Sequence, residues 1–342
     1  MTVRIAINGY GRIGRCFLRA LYESPHRDHW QVVAINEPAD LASIEYLTRF
    51  DSTHGRFPGV VDVLDGQLRV DGRPIIVTHA TEPDAVDWAA LGIDVLVECS
   101  GRYGTREQLT RFLDAGCPRV LLSHPGQQAD AVDATTVFGI NHEALRGDER
   151  IVSNASCTTN AVVPVLSLLD KAFGVEHALL TTVHSVMNDQ PLIDGYHDKD
   201  LRRTRSAMQS IIPVSTGLGR GVERLLPQLA GRVQAKAIRV PTLNVSAIEL
   251  TLTLRETVDV AAINHLMAGA AHGRYANLLA YTEQAHASID FNHDPHSAVF
   301  DGGQTLVSGA HLATVLLWFD NEWGFASRMV DVLAHWQPRW SK

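Results

Sequence analysis

The run Ser153-Asn154-Ala155-Ser156-Cys157-Thr158-Thr159-Asn160 surrounds one cysteine with hydroxyl and amide side chains, where a short β-branched stretch gives way to an apolar, helix-like segment. A thiol at a helix N-terminus meets backbone N–H groups and the positive end of the helix dipole, which favour thiolate over thiol. Cys157 is therefore a candidate nucleophile, with a depressed pKa expected. Cys16, Cys99 and Cys117 lie in apolar or featureless surroundings and read as core fillers. His184 follows Thr181-Thr182-Val183, another short strand pattern, and is a candidate general acid/base. It is one of 16 histidines, and spacing alone does not set it beside the thiol.

A second kind of chemistry is written in Asn8-Gly9-Tyr10-Gly11-Arg12-Ile13-Gly14-Arg15, where Gly9, Gly11 and Gly14 fill the pattern GxGxxG between a strand and a helix. Gly9 allows the tight turn, Gly11 lets a pyrophosphate approach the backbone, and Gly14 lets the helix pack closely. Glu37 follows 23 residues after Gly14, at the end of the next strand pattern. A carboxylate there accepts from ribose hydroxyls and repels a 2′-phosphate, so NAD is expected rather than its phosphorylated form. Basic residues gather at Arg202-Arg203-Thr204-Arg205, and Arg239 stands just ahead of Pro241. Both could hold a phosphorylated substrate; a solvated face or intersubunit contacts fit the triple-Arg run equally well.

These residues need a scaffold, and 342 residues suffice for two domains. From residue 3 to about 152 short β-branched runs alternate with helical stretches, which predicts βαβ units and a doubly wound parallel sheet of the Rossmann type. Strands are expected over 3–8, 31–36, 93–99, 119–122, 135–140 and 151–154, with a helix carrying Ile13, Phe17 and Leu21. After Cys157 the pattern changes. Ile248, Leu250, Leu252 and Leu254 alternate with Glu249, Thr251 and Thr253, which predicts an α+β domain with a mainly antiparallel sheet. A helix over 259–273, a β-rich stretch over 288–318 and an amphipathic helix over 321–336 complete the reading.

With 30 Lys+Arg against 38 Asp+Glu the net charge is −8, which disfavours a sequence-independent grip on nucleic acid or an anionic membrane. At 45% hydrophobic and 20% charged the chain is not disordered. The four cysteines are scattered, so neither a disulfide framework nor a metal site is expected, and the cytoplasm is the expected compartment. The apolar run at residues 1–8 is too short for the signal peptide it would have to form, so none is expected, and no stretch approaches the length of a membrane span.

Taken together, segments 8–15, 153–160, 181–184, 201–205, 210–213, 239–241 and 320–324 resemble the phosphorylating glyceraldehyde-3-phosphate dehydrogenase superfamily in content and order. The resemblance runs nearly end to end, and Ser-Asn-Ala-Ser-Cys-Thr-Thr-Asn is its most specific part. It implies an NAD-binding domain over 1–156 and 321–342, the C-terminal helix returning to it, and a catalytic domain over 157–320. It implies that Cys157 attacks an aldehyde to give a hemithioacetal, and that His184 raises its thiolate character and takes the proton as hydride leaves, so that a thioester remains. It implies further that Asn321 orients the nicotinamide carboxamide, that Arg12, Ile13 and Ser123 contact the dinucleotide, and that Ser156, Thr158, Arg203, Thr216, Gly217 and Arg239 hold phosphate groups. The assembly implied is a homotetramer in which the loop over 188–205 lines a neighbour's cofactor site.

Several positions depart from the common pattern of that superfamily. Met187 stands where most members carry Thr, and a thioether cannot donate to a substrate phosphate. Gly195-Tyr196 replaces Leu-Pro, and Ala161 replaces a frequent second cysteine. Met187, Glu37 and Ser123-His124-Pro125 resemble the erythrose-4-phosphate dehydrogenase branch, which implies NAD-dependent oxidation of D-erythrose 4-phosphate to 4-phosphoerythronate. There water cleaves the thioester, and the product feeds pyridoxal 5′-phosphate synthesis. Because Arg203, Thr216, Gly217 and Arg239 are all retained, glyceraldehyde-3-phosphate dehydrogenase activity is the alternative.

Overall fold

The computed structural model describes residues 2–198 and 200–340. The chain forms two compact units, one running to Ser156 and resuming at Ala326, the other spanning Cys157–Phe325. The second unit keeps Asn321 and the start of the last helix.

The first unit is built on a nine-stranded sheet. Its order in space is Ala134–Thr135, Ile151–Ser153, Val120–Leu122, Val95–Glu98, Val3–Asn8, Trp30–Asn36, Arg73–Thr78, Gln67–Val70 and Val61–Leu64. The first seven run parallel and the last two antiparallel. Parallel strands covered on both faces need continuous apolar runs, and Val95–Glu98, Val120–Leu122 and Ile151–Ser153 are buried throughout. Ala6, Val33, Leu96 and Val120 pack with the buried Trp88 and Phe112 into one core. The helix Arg12–Glu23 buries Phe17 and Leu21 completely.

Two features differ from the sequence reading. The strand expected over 135–140 is only Ala134–Thr135, because Asn141 closes a turn instead. Its Oδ1 accepts from Val137 N (2.8 Å), its Nδ2 donates to Thr135 O (2.8 Å), and Gly139 takes a positive φ. The antiparallel hairpins over 61–78 were not expected, although the signal is present. Asp65-Gly66 and Asp71-Gly72 each place two successive residues at positive φ, the turn that Asp-Gly pairs supply between hairpin strands.

The second unit carries a seven-stranded sheet in the order Ile212–Val214, Val233–Arg239, Val175–His184, Ser246–Leu254, Leu312–Phe319, Ala298–Ser308 and Leu279–Thr282. It is mainly antiparallel, with two parallel pairs, Val175–His184 with Val233–Arg239 and Leu279–Thr282 with Ala298–Ser308. Ile248, Leu250, Leu252 and Leu254 are buried as the alternation requires, while Glu249 is exposed. The apolar helix Cys157–Phe173 covers the buried face. The helix expected over 259–273 is Val260–Ala271, started by Asp259, whose carboxylate accepts from Ala262 N (2.7 Å). The last helix begins at Trp323 rather than 321 because Asp320 caps it, Oδ1 accepting from Glu322 N (2.9 Å) and Trp323 N (2.8 Å). Among the described residues no helix is long and apolar enough to cross a membrane.

Candidate active site

Cys157 is the first residue of its helix, and His184 is the last residue of its strand. The chain enters the helix through Ala155, held at φ +55°, a left-handed conformation that costs a non-glycine residue about 1 kcal/mol or more. Cys157 Sγ lies 3.8 Å from His184 Nε2, within reach for a sulfur hydrogen bond. His184 Nδ1 sits 2.8 Å from Ser185 O, a partner that only accepts. The ring proton is therefore on Nδ1, and Nε2 presents its lone pair to the thiol.

The expected depression of the thiol pKa is not found. Burial pushes Cys157 up to about 11; the backbone N–H groups of Thr158 and Cys157 itself pull it down, and the Glu322 and Asp320 carboxylates raise it further. Burial also lowers His184, and Arg239 adds to that, while Ser185 O, Asp189 and Glu322 oppose it. Both shifts favour a neutral thiol beside a neutral imidazole, so desolvation outweighs the helix N-terminus. What this pair can do is move the thiol proton to Nε2 as sulfur attacks.

Parallel pairing places His184 directly opposite Arg239, so one register fixes both the imidazole and a buried cation. Arg239 meets Asp189 through two bonds, Nη1 to Oδ1 (2.6 Å) and Nη2 to Oδ2 (3.2 Å). Arg203 Nη1 reaches the same Oδ2 at 2.8 Å. Desolvation by its neighbours raises the Asp189 carboxyl, but the two guanidiniums outweigh that and hold it below the usual range. Arg239 Nη2 also lies 3.4 Å from Met187 Sδ. The triple-Arg run thus divides: Arg203 turns toward Asp189, while Arg205 pairs on the surface with Asp194. Asp189 was missed from the sequence, where a lone acid in a loop carries no signal.

Asn321 is held through its amide oxygen, Oδ1 accepting from Ser185 Oγ (3.0 Å) and Ser246 Oγ (2.8 Å). That assigns its Nδ2 donors to the opposite side of the amide. Ser185 and Ser246 were also missed. Thr158 lies in the first turn after Cys157 and Ser156 just before it, both half-buried. Thr216 and Gly217 open the helix Leu218–Leu225, Thr216 Oγ1 accepting from Leu218 N (3.2 Å).

The first unit holds a cleft of about 260 Å³, lined by Asn8, Gly9, Gly11, Asn36, Glu37, Ser100, Arg102 and Tyr103 among others. Its glycines fit a dinucleotide. A Cβ on Gly9 would lie 2.5 Å from Ser100 N and Cα, and one on Gly14 would lie 2.4 Å from Gly9 O. A Cβ on Gly11 would meet nothing within 4 Å, so its backbone faces open space in the cleft. The first helical bond runs from Arg15 N to Gly11 O (3.1 Å), which sets the N–H groups of Arg12, Ile13 and Gly14 at the positive end of the helix. The Arg12 guanidinium is paired bidentately with Asp51, so its side chain serves the fold. Glu37 is fixed at the cleft edge, accepting from Tyr10 N (2.8 Å) and Ala39 N (3.3 Å). Ser123 follows its strand, with its N–H on Glu98 O (3.0 Å).

Two family models match the chain. The NAD binding domain of glyceraldehyde 3-phosphate dehydrogenase matches residues 3–106, and the C-terminal domain of the same enzyme matches residues 156–321. The cofactor is NAD, and the cleft around Gly9, Gly11 and Glu37 lies within the first match. With Cys157, His184 and Arg239 inside the second, the chain belongs to the glyceraldehyde-3-phosphate dehydrogenase superfamily and is an NAD-dependent oxidoreductase acting on an aldehyde group.

Proposed function

We propose that the substrate is D-erythrose 4-phosphate, oxidised to 4-phosphoerythronate through a thioester on Cys157 that water cleaves, the product serving pyridoxal 5′-phosphate synthesis. The observation that carries this reading is Met187 Sδ lying 3.4 Å from Arg239 Nη2. A thioether there offers a phosphate oxygen no donor, while Arg239 and Arg203 retain positive charge for one phosphate group. A site that holds the substrate's own phosphate and binds free phosphate poorly leaves the thioester to water.

In the mechanism, His184 Nε2 accepts the thiol proton as Cys157 Sγ bonds to the aldehyde carbon and passes it to the aldehyde oxygen, so that the hemithioacetal forms without a resident thiolate and Nε2 is again free to accept. Nε2 then removes the hemithioacetal hydroxyl proton as the carbonyl re-forms. NAD, when bound, supplies the hydride acceptor. After His184 releases its proton to solvent, the same nitrogen takes one from the attacking water and gives it to Cys157 Sγ as the carbon–sulfur bond breaks, so that Cys157 leaves as the thiol. Gly9, Gly11, Gly14, the backbone N–H groups of Arg12 and Ile13, Glu37 and Ser123 are assigned to the dinucleotide and Asn321 to its carboxamide. Ser156, Thr158, Arg203, Thr216, Gly217 and Arg239 are assigned to phosphate.

The loop over 188–211 exposes Leu192, Ile193, Tyr196, Leu201 and Ile211, more apolar surface than an isolated chain usually leaves in one place. This supports the homotetramer, which light scattering would test, and the cytoplasm is the compartment proposed. The retained cations favour one second reading, phosphorylating glyceraldehyde-3-phosphate dehydrogenase. The deciding experiment is NADH appearance with each sugar phosphate, with and without inorganic phosphate. Faster, phosphate-independent turnover of the four-carbon sugar is expected; strict phosphate dependence with preference for the three-carbon sugar would overturn the assignment.

A further inference from the structure

Three neighbouring strands of the first unit end on buried polar residues: Val3–Asn8 on Asn8, Trp30–Asn36 on Asn36 and Val95–Glu98 on Glu98. Register sets Asn8 opposite Asn36 on one side and Glu98 on the other. Their side chains form one directed chain of hydrogen bonds. Asn36 is oriented by Ala80, whose N–H donates to Oδ1 (2.9 Å) and whose carbonyl accepts from Nδ2 (3.0 Å). That orientation makes Asn36 Nδ2 the donor to Asn8 Oδ1 (2.7 Å), which turns Asn8 Nδ2 onto Glu98 Oε2. The other Glu98 oxygen accepts from Ser100 N (2.7 Å) and from the Ser100 hydroxyl. Both carboxylate oxygens are therefore committed as acceptors.

The dinucleotide turn rests on the groups that Glu98 holds. Gly9 follows Asn8, its N–H donates to Asn36 O (2.9 Å), and its Cα lies so close to Ser100 that a Cβ would overlap that backbone. We propose that ionised Glu98 is a positioning residue for NAD, fixing Asn8 and Ser100 on either side of the Gly9–Gly11 turn, and that its protonation releases the turn and weakens NAD binding. A proton on Oε2 would face Asn8 Nδ2, and one on Oε1 would face Ser100 N, so either replaces an acceptor by a donor against a donor.

Burial lifts the Glu98 carboxyl to about 7, against the Ser100, Asn8 and Gly101 donors that lower it. Cys99, Cys117 and Tyr103 interact with its charge, and each is shifted upward mainly by burial, which keeps them neutral near pH 7. Glu37 and Arg102 line the same cleft. The sign of the linkage separates positioning from mere structure. A carboxyl raised in the folded state takes up a proton there before the unfolded chain does, so its contribution to stability grows as pH falls through about 7. NAD affinity moves the other way.

The inference rests on NAD occupying this cleft, and the test is calorimetric titration of the full chain with NAD between pH 6 and pH 8. If the protonated form does not bind, Kd is about tenfold weaker at pH 6 than at pH 8. Glu98→Gln is expected to bind NAD weakly at every pH, with the slope lost and a thermal midpoint at pH 8 no lower than that of the parent. Ser100→Ala, which removes one donor, is expected to move the midpoint of the Kd profile upward. A flat Kd in the parent protein, or a Gln variant with the parent's affinity and slope, would overturn the proposal. No NAD binding at any pH would overturn occupancy of the cleft itself.

Discussion

The glycine-lined cleft of the first unit and the thiol site of the second are assembled by different means. The cleft is made largely of backbone: glycines that let chain segments approach, a helix N-terminus, and Glu37 tied to two N–H groups. The thiol site is made of side chains carried by separate elements, Cys157 on a helix, His184 and Arg239 on paired strands, and Asp189 and Arg203 on the loop between. A backbone site is specified by local sequence and tolerates little change in shape. A side-chain site is specified by register, and its chemistry depends on neighbours that lie far away in the chain.

The largest effect should come from the side-chain site. Cys157→Ser removes the nucleophile and is expected to cut NADH formation by roughly 10³-fold or more with every aldehyde. NAD affinity, measured by titration, should stay within about twofold, since the substitution leaves the glycine turn and Glu37 unchanged. Retention of turnover would remove Cys157 from the reaction.

That asymmetry explains what could be read beforehand. The glycine fingerprint and Glu37 are legible because they lie within one strand-helix-strand stretch, and Cys157 is legible because its own neighbours mark a helix start. Asp189, Ser185 and Ser246 were not, because their roles exist only once Val175–His184 pairs with its neighbours and Asn321 is brought to them. The antiparallel hairpins were missed although Asp65-Gly66 and Asp71-Gly72 announce them. The pKa of Cys157 was misjudged for a physical reason: sequence shows the helix N-terminus but not the burial that opposes it.

The thiol's protonation gives the next largest effect. With Cys157 pushed up to about 11 and His184 lowered, thiolate is a small fraction at neutral pH. Alkylation by iodoacetamide in the absence of NAD should therefore rise about tenfold per pH unit between pH 6 and pH 9. A rate already level by pH 7 would show a resident thiolate–imidazolium pair and remove the neutral starting state.

Gly9→Ala probes the backbone site. At φ +81°, with Ser100 N and Cα 2.5 Å from the added carbon, the turn must open, because neither backbone segment can rotate away as a side chain would. Strain of about 1–3 kcal/mol corresponds to roughly fivefold to 150-fold weaker NAD binding, measured by the same titration. Cys157 alkylation should be unaffected, which is the converse of the first substitution. Parent-like NAD affinity would mean that the close approach to Ser100 does not shape the cleft.

The smallest effect is the one that bears on substrate choice. Met187→Thr restores a hydroxyl beside Arg239 Nη2, and one neutral hydrogen bond to a phosphate oxygen is worth about 0.5–1.5 kcal/mol. Phosphate-dependent turnover of glyceraldehyde 3-phosphate should rise about twofold to tenfold, with a smaller change for erythrose 4-phosphate, because Arg203 and Arg239 remain in place for the substrate's own phosphate. The effect should appear in the KM for inorganic phosphate rather than in the acylation rate, since Cys157 and His184 are untouched. An equal gain for both sugars would show that residue 187 only adjusts the general affinity of the site. No change at all would place the discrimination elsewhere, with Asp189 next in line because its carboxylate joins the two guanidiniums that a phosphate would need.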